Sequence, residues 1–246
     1  MKKRKIIYMI IFVLLGLFVL FFYNELNGNP ISKFYASKTV EKYLSETYPN
    51  REFRIEEGNY NFKFSEYGFK VIEIGSTSSK EAGPKSYDIT VKGFFKPYVG
   101  MDGIYYANLD EPLMEKISRE AEKEIMELLS KGVPTVKGIG ITLEIQKGKY
   151  DGNATWNKNM ELEKPFGLHI VLDATTSTKE DVLTDSKKIQ EVLNESGYNY
   201  DTVTINANFI PEAGKGSKDE WGYVRYAFSF EKETKLSQKD IEELEK

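Results

Sequence analysis

One histidine, His169, and no cysteine set the outer limit on the chemistry available to this chain. Without Cys there is no disulfide, no thiolate metal site and no sulfur nucleophile. A lone His restricts any Ser-His-Asp relay and rules out a metal site with two His ligands. His169 stands between Leu168 and Ile170 in a strand-like run, the setting of a structural or solvated histidine. Ser229 and Lys232 have S-x-x-K spacing, but the other motifs of penicillin-binding enzymes are missing. Asp151, Asn153, Thr155, Asn157 and Asn159 follow the alternate spacing of a calcium loop. Trp156 occupies the place of the loop's glycine, however, and Leu162 that of its bidentate Glu. A polar hairpin loop turning at Asp151-Gly152 is the plainer reading. There is no G-x-S-x-G elbow, P-loop or GxGxxG fingerprint, and Gly138-Ile139-Gly140 runs into a strand rather than a helix. No catalytic residue, metal ligand or cofactor is therefore expected.

Aromatic residues are the richest recognition chemistry, with 16 Tyr and 15 Phe. They crowd the segment Phe94 to Tyr106 around a turn. Neighbouring strand residues face opposite sides, so Phe94 and Phe95 cannot both enter one core. One reading is a sheet covered on both faces, or an aromatic packed on a long helix. The other is a recognition surface, with Phe94, Tyr98, Tyr105 and Tyr106 as its binding side chains. Trp221, beside Gly222, poses the same choice. Carboxylates abound, and a hydrolase using a pair of them is the enzymatic alternative; its geometry is not readable from one sequence.

What positions these residues begins with Ile6 to Tyr23, eighteen residues without a charge. As a helix it is about 27 Å long, close to the roughly 30 Å of a bilayer core. Lys2, Lys3, Arg4 and Lys5 precede it, which places the N-terminus in the cytoplasm and the body outside. A cleaved signal peptide is the competing reading. The run exceeds the usual h-region, and Leu26-Asn27-Gly28 is a poor cleavage site. A buried soluble helix is a third reading. The cytoplasmic tip of about five residues leaves any inward signal to a partner.

The body past this run is acidic. Setting aside the four leading basic residues leaves 30 Lys and Arg against 38 Asp and Glu, a net of −8. That argues against a nucleic-acid partner and against broad adhesion to anionic surfaces. Pro30 opens a helix with Ile31, Phe34, Tyr35, Val40, Tyr43, Leu44 and Tyr48 on its apolar side, ending at Pro49-Asn50. Strands are expected at 53–64 and 69–76, split by a turn at Glu66-Tyr67-Gly68, then at 87–95 and 104–107. Asp110 caps a helix to Leu129 whose stripe is Leu113, Ile117, Ala121, Ile125 and Leu128. Further strands follow at 139–146, 166–173, 202–210 and 223–230, with a helix opened by Thr178 and Asp181 and a last helix over 238–245. The fold class is α+β: one N-terminal transmembrane helix, then antiparallel sheets with helices on one face, in two small units. The expected divisions are 1–24, 25–131 and 132–246, with the boundary near Lys131 to Gly138.

Gly28-Asn29-Pro30-Ile31, the helix ending Tyr43-Leu44 and Thr47-Tyr48-Pro49, and Gly58-Asn59-Tyr60-Asn61-Phe62-Lys63-Phe64 together resemble the YfjL-like proteins of Gram-positive bacteria. The resemblance is best over roughly residues 1–110 and weaker beyond. It implies bacterial origin and an anchored topology, and it carries over no catalytic or binding residue. The expectation is thus a single-pass protein of the cell membrane, held by Ile6 to Tyr23, with an extracytoplasmic binding or interaction module and an envelope protein as partner. A structural accessory subunit is a further reading. The lone Gly16, flanked at helical spacing by Phe12 and Leu20, offers no small-residue face for helix pairing.

Overall fold

Helix α1 (Lys2–Asn27) and helix α2 (Pro30–Thr47) are separated by two residues. The computed structural model describes residues 2–77, 84–210 and 222–244, so Trp221 lies outside the described residues. Gly28 ends α1 with φ +68, its N–H bonded to the Asn24 carbonyl at 2.8 Å. Asn29 caps α2 by accepting from the Ser32 N–H at 2.8 Å, and Pro30 fills the first position, where no N–H is needed.

The chain divides into two units between Asn108 and Leu109. In the first, β1 (Phe53–Ile55), β2 (Asn59–Asn61), β3 (Glu66–Thr77), β4 (Pro84–Lys92) and β5 (Tyr98–Asp102) form an antiparallel sheet. Its order is β1-β3-β4-β5, with β2 also on β3. Tyr67, Phe69, Val71, Ile89 and Val91 alternate onto one buried face, where α2 lays Ala36, Val40 and Leu44. The buried ridge of α2 is Ser32, Ala36, Val40 and Leu44, so Val40 and Leu44 are buried as expected, while Ser32 and Ala36 take the places beside them. Ile31, Phe34 and Tyr35 remain 65%, 58% and 54% exposed. Small side chains at 32 and 36 let the helix approach the sheet closely, and the Ser32 hydroxyl bonds Tyr67 there.

Two local expectations fail in this unit for identifiable reasons. Glu66 is already paired to Asn61 and Lys92, so the turn falls at 62–65, where Ser65 takes φ 50. Residues 104–107 are not a strand but part of helix α3 (Gly103–Ala107). Asp102 caps it by accepting from the Ile104 and Tyr105 N–H groups. A side chain at Gly103 would strike the Asp88 carbonyl oxygen at 2.4 Å, which requires glycine there.

The second unit contains α4 (Glu111–Leu129), β6 (Val136–Thr142), β7 (Phe166–Asp173), α5 (Lys179–Glu195), β8 (Tyr200–Phe209), β9 (Tyr223–Glu231) and β10 (Glu242–Glu243). The strand order is β10-β9-β8-β7-β6. All pairs are antiparallel except β7–β8, which is parallel because α5 is the crossover between them. The all-antiparallel expectation is corrected accordingly. Leu113, Ile117, Ala121, Ile125 and Leu129 on α4 share one core with Val182, Ile189 and Leu193 on α5 and the inner residues of β7 and β8. This burial moves the unit boundary from 131–138 back to Asn108/Leu109: α4 belongs to the second core. Leu129 is fully buried, while Leu128 packs at the edge. The C-terminal helix expected over 238–245 is a short 3-10 turn, Gln238–Asp240, followed by β10 on β9. Only Ile241 there is buried, which is too little apolar surface to hold a helix against the sheet.

Assignment of α4 to the second core makes a prediction. Ile117→Ala should cost about 2–5 kcal/mol. Hydrogen exchange read by segment should show amides of β6 to β8 opening faster, with the β3–β4 amides unchanged.

Candidate functional site

The candidate site is the surface around the Gly28-Asn29 break. Tyr67, from the start of β3, holds that break. Its hydroxyl donates to the Asn29 carbonyl at 3.0 Å, accepts from the Asn29 N–H at 2.8 Å and lies 2.7 Å from the Ser32 hydroxyl. The Tyr60 ring packs on it with centroids 5.0 Å apart. A Cβ at Gly28 would meet the Tyr67 hydroxyl at 2.4 Å and the Tyr60 ring at 2.8 Å. Left-handed backbone and lack of space thus both demand glycine.

Two clefts flank the break. The larger, about 800 Å³, runs from Tyr23 and Asn27 past Phe34 to Glu56, Glu57 and Asn59. Lys33 and Glu57 pair across it at 2.6 Å. That hydrogen bond holds the Glu57 carboxyl below its ordinary range. The smaller cleft, about 320 Å³, lies where Asn24 and Glu25 of α1 meet Ser65, Gly93 and Phe94. Around both, large apolar side chains stand in the open: Phe62 at 53%, Phe64 at 63%, Phe94 at 49% and Phe95 at 92% exposed.

At the other end of α2, Asp102 gathers four donors. The Tyr43 hydroxyl (2.8 Å) and the Tyr48 hydroxyl bond one oxygen; the Ile104 and Tyr105 N–H groups bond the other. Burial and this hydrogen bond push the Tyr43 phenol up to about 12, and Tyr48 higher still. Beside it Arg51 grips Glu73 with two bonds of 2.7 Å while facing the rings of Tyr48, Phe53 and Tyr87 at 5.1 to 5.7 Å. Hydrogen bonding to Arg51 holds the Glu73 carboxyl below 4.5. Both acids are saturated by fixed partners, the arrangement of a structural clamp rather than of a proton-transfer group.

The four expected binding residues do not converge. Phe94 lines the small cleft beside α1, whereas Tyr98 lines a separate cleft of about 500 Å³ between α2 and β5, with Tyr35, Lys38, Lys42 and Tyr43. Tyr105 and Tyr106 pack edge to face on α3 and line neither cleft. Phe94 packs edge to face on Phe95, and Phe62 and Phe64 lie on the hairpin turn that leaves the same end of the sheet. The signal for them was the Phe62-Lys63-Phe64 alternation beside a turn. In the second unit His169 sits on the sheet face away from the helices, over a shallow depression of about 400 Å³ shared with Gly138, Gly140 and Asn206. Asp151 and Asn157 accept from the Asn153 and Asn159 N–H groups at 2.8 and 2.9 Å, so these side chains close their own turns. Ser229 bonds Thr204, and Lys232 reaches the Tyr198 carbonyl, so each has its own partner.

Comparison with known proteins gives a consistent result across the chain. The family model of the YfjL-like N-terminal domain matches residues 3–103, and that of the YfjL-like C-terminal domain matches residues 120–245. The uncharacterised protein YfjL of Bacillus subtilis (strain 168) is 32% identical over 241 residues, covering 98% of this chain and 99% of its own. Among solved structures, a DUF5037 family protein from Ruminococcus gnavus covers 78% of this chain and 89% of its own, at 14% identity and a TM-score of 0.24.

Two measurements test this geometry. Gly28→Ala should destabilise the first unit by about 2 kcal/mol or more, read by urea unfolding in detergent micelles. Glu73→Gln should narrow the stability gap to the parent at low pH. The Glu73 carboxyl is held low in the folded state, so its contribution is full above 4.5 and is lost as pH falls through the lowered value. A gap unchanged from neutral pH down to the acid transition would contradict the clamp.

Proposed function

We propose, on the premise that this chain belongs to the YfjL-like family, that it is a single-pass membrane protein whose folded body stands outside the cytoplasm and binds a partner without catalysing a reaction. The observation that carries the anchored part is the surface of α1. From Ile6 to Tyr23 its large apolar side chains are 49% to 76% exposed, and no part of the span is buried. A core helix of a soluble protein would be covered by its own chain. This one offers every side to an apolar solvent, as a bilayer-crossing helix must. A signal sequence passes the same test of length and composition. Retention is supported by the long run, the poor cleavage site and the way the chain just after α1 is tied to the fold. Gly28 lies under Tyr60 and Tyr67, and Asn29 is bonded to Tyr67. The four basic residues ahead of α1 support an inside N-terminus.

The non-catalytic part is supported by the two acids at the far end of α2: Asp102 accepts from Tyr43, Tyr48, Ile104 and Tyr105, and Glu73 accepts from Arg51 and Tyr87, so both are held by fixed partners rather than presented to a substrate. Recognition on this reading falls to aromatic rings, the exposed Phe94, Tyr98 and Tyr106 and the half-buried Tyr105, with an envelope protein as the partner. The organisation proposed is an anchor over residues 1–24 carrying two folded units.

The chain is free of Cys, so single cysteines report topology cleanly. In intact cells Asn50→Cys should react with a membrane-impermeant maleimide and Lys5→Cys should not. The tagged protein should stay in the membrane fraction at its full mass. A shortened, released product would mean α1 is a signal sequence. Crosslinking in cells followed by mass spectrometry should yield one stoichiometric partner; a ligand-cleaving activity in the purified full chain would overturn the non-catalytic reading.

A further inference from the structure

We infer that the first unit rests directly on the lipid surface, with the tips of two hairpins set into the headgroup layer beside α1. These tips are Phe62-Lys63-Phe64 and Phe94-Phe95-Lys96. The inference builds on the anchored reading above and adds a binding surface to it.

Strand pairing puts the tips side by side. Asn61 faces Glu66 across the first hairpin, and Glu66 faces Lys92 across the next, so residues 62–65 and 93–97 leave the same end of the sheet. That end meets α1 at a defined height. Ser65, Gly93 and Phe94 share a cleft with Asn24 and Glu25, the first residues after the charge-free run. At 1.5 Å per residue, Asn24 and Glu25 stand about 1.5 to 3 Å beyond Tyr23. The headgroup layer on each side of a bilayer is about 5 to 7 Å deep. Wherever α1 spans, the tips therefore lie at interfacial depth. The locked Gly28-Asn29 joint keeps them there, since Tyr67 bonds both polar groups of Asn29.

The side chains suit that depth. Four phenylalanine rings stand 49% to 92% exposed at this one end of the sheet, which is costly in water and favourable among acyl chains. Phe34 shares the larger cleft with Tyr23, which adds a further exposed ring near the end of the charge-free run. Lys63 and Lys96 stand among these rings, and neither has an acidic partner among the described residues. Aromatic rings with flanking lysines match the boundary between acyl chains and phosphates.

The test uses the full chain in mixed phosphatidylcholine–phosphatidylglycerol vesicles, with one nitroxide label at a time on Phe64→Cys, Phe95→Cys, Phe18→Cys or Asn50→Cys. Collisions with oxygen and with a water-soluble nickel chelate give a depth parameter for each. The expected result is a positive value at 18, 64 and 95 and a negative one at 50. Adding Lys63→Glu with Lys96→Glu should shift the value at 95 toward water while leaving 18 unchanged. A positive value at 18 with values at 64 and 95 matching 50 would overturn the lipid contact and leave the anchor standing. A negative value at 18 would overturn both. Labels at 64 and 95 shielded from both reagents would mean protein contact instead; spin–spin broadening lost on dilution with unlabelled chain would identify a second copy.

Discussion

The hydroxyl of Tyr67 fixes how an exposed apolar helix joins a folded sheet. It bonds the Asn29 amide and carbonyl and touches Ser32. Those three contacts set where α1 stops and where α2 starts. From α2 follows the buried ridge Ser32-Ala36-Val40-Leu44, and from that ridge the face of the sheet that becomes core. A flexible linker would let the body drift on its anchor. A glycine pinned under two tyrosine rings instead ties the height of the sheet to the end of the charge-free run.

The far end of α2 is clamped by a different kind of chemistry. Asp102 is 8% exposed and carries four donors, two of them phenols that ionise only at strongly alkaline pH. Those phenols are raised relative to an unfolded tyrosine. Their contribution is therefore intact below the ordinary tyrosine range near 10 and fades as pH climbs through about 12. Arg51 and Glu73 work in the opposite direction on the scale, losing their contribution only in acid. The first unit thus keeps both clamps across the whole neutral range.

How much of this was readable in the sequence depends on which solvent claimed each apolar residue. The α4 stripe was legible through Ile125 because water and core were the only choices there. On α2 the same periodicity rule selected Ile31, Phe34 and Tyr35, which the structure leaves exposed. An apolar side chain there can be buried in the core or left on the surface, and size favours neither. Ser32 and Ala36 won the core position because a small residue allows close approach. The partner of α4 was not legible, since an amphipathic helix shows that it is covered but not by what. The parallel β7–β8 pair was missed for a related reason: strand direction follows from the α5 crossover, a non-local fact. Phe94 was legible as an exposed ring. That its turn leaves the same end of the sheet as Phe62 and Phe64 was not, because the register of β3 against two partners sets it.

Charge distribution gives the anchored reading its orientation. The portion after the four leading basic residues is acidic overall, at 30 basic against 38 acidic residues, and an evenly spread excess would lift the body away from anionic lipid. The two lysines at the hairpin tips reverse that sign where the sheet meets α1. Repulsion of the remainder and attraction at the tips then act as a couple, so only one edge of the first unit faces the headgroups. Screening limits this couple to roughly 10 Å at physiological salt, which is enough to reach the tips but not the far end of an eighteen-residue helix about 27 Å long. On the proposed reading the surfaces divide: Phe94 and the rings beside α1 face lipid, and Tyr98, on the separate cleft between α2 and β5, is left for a partner.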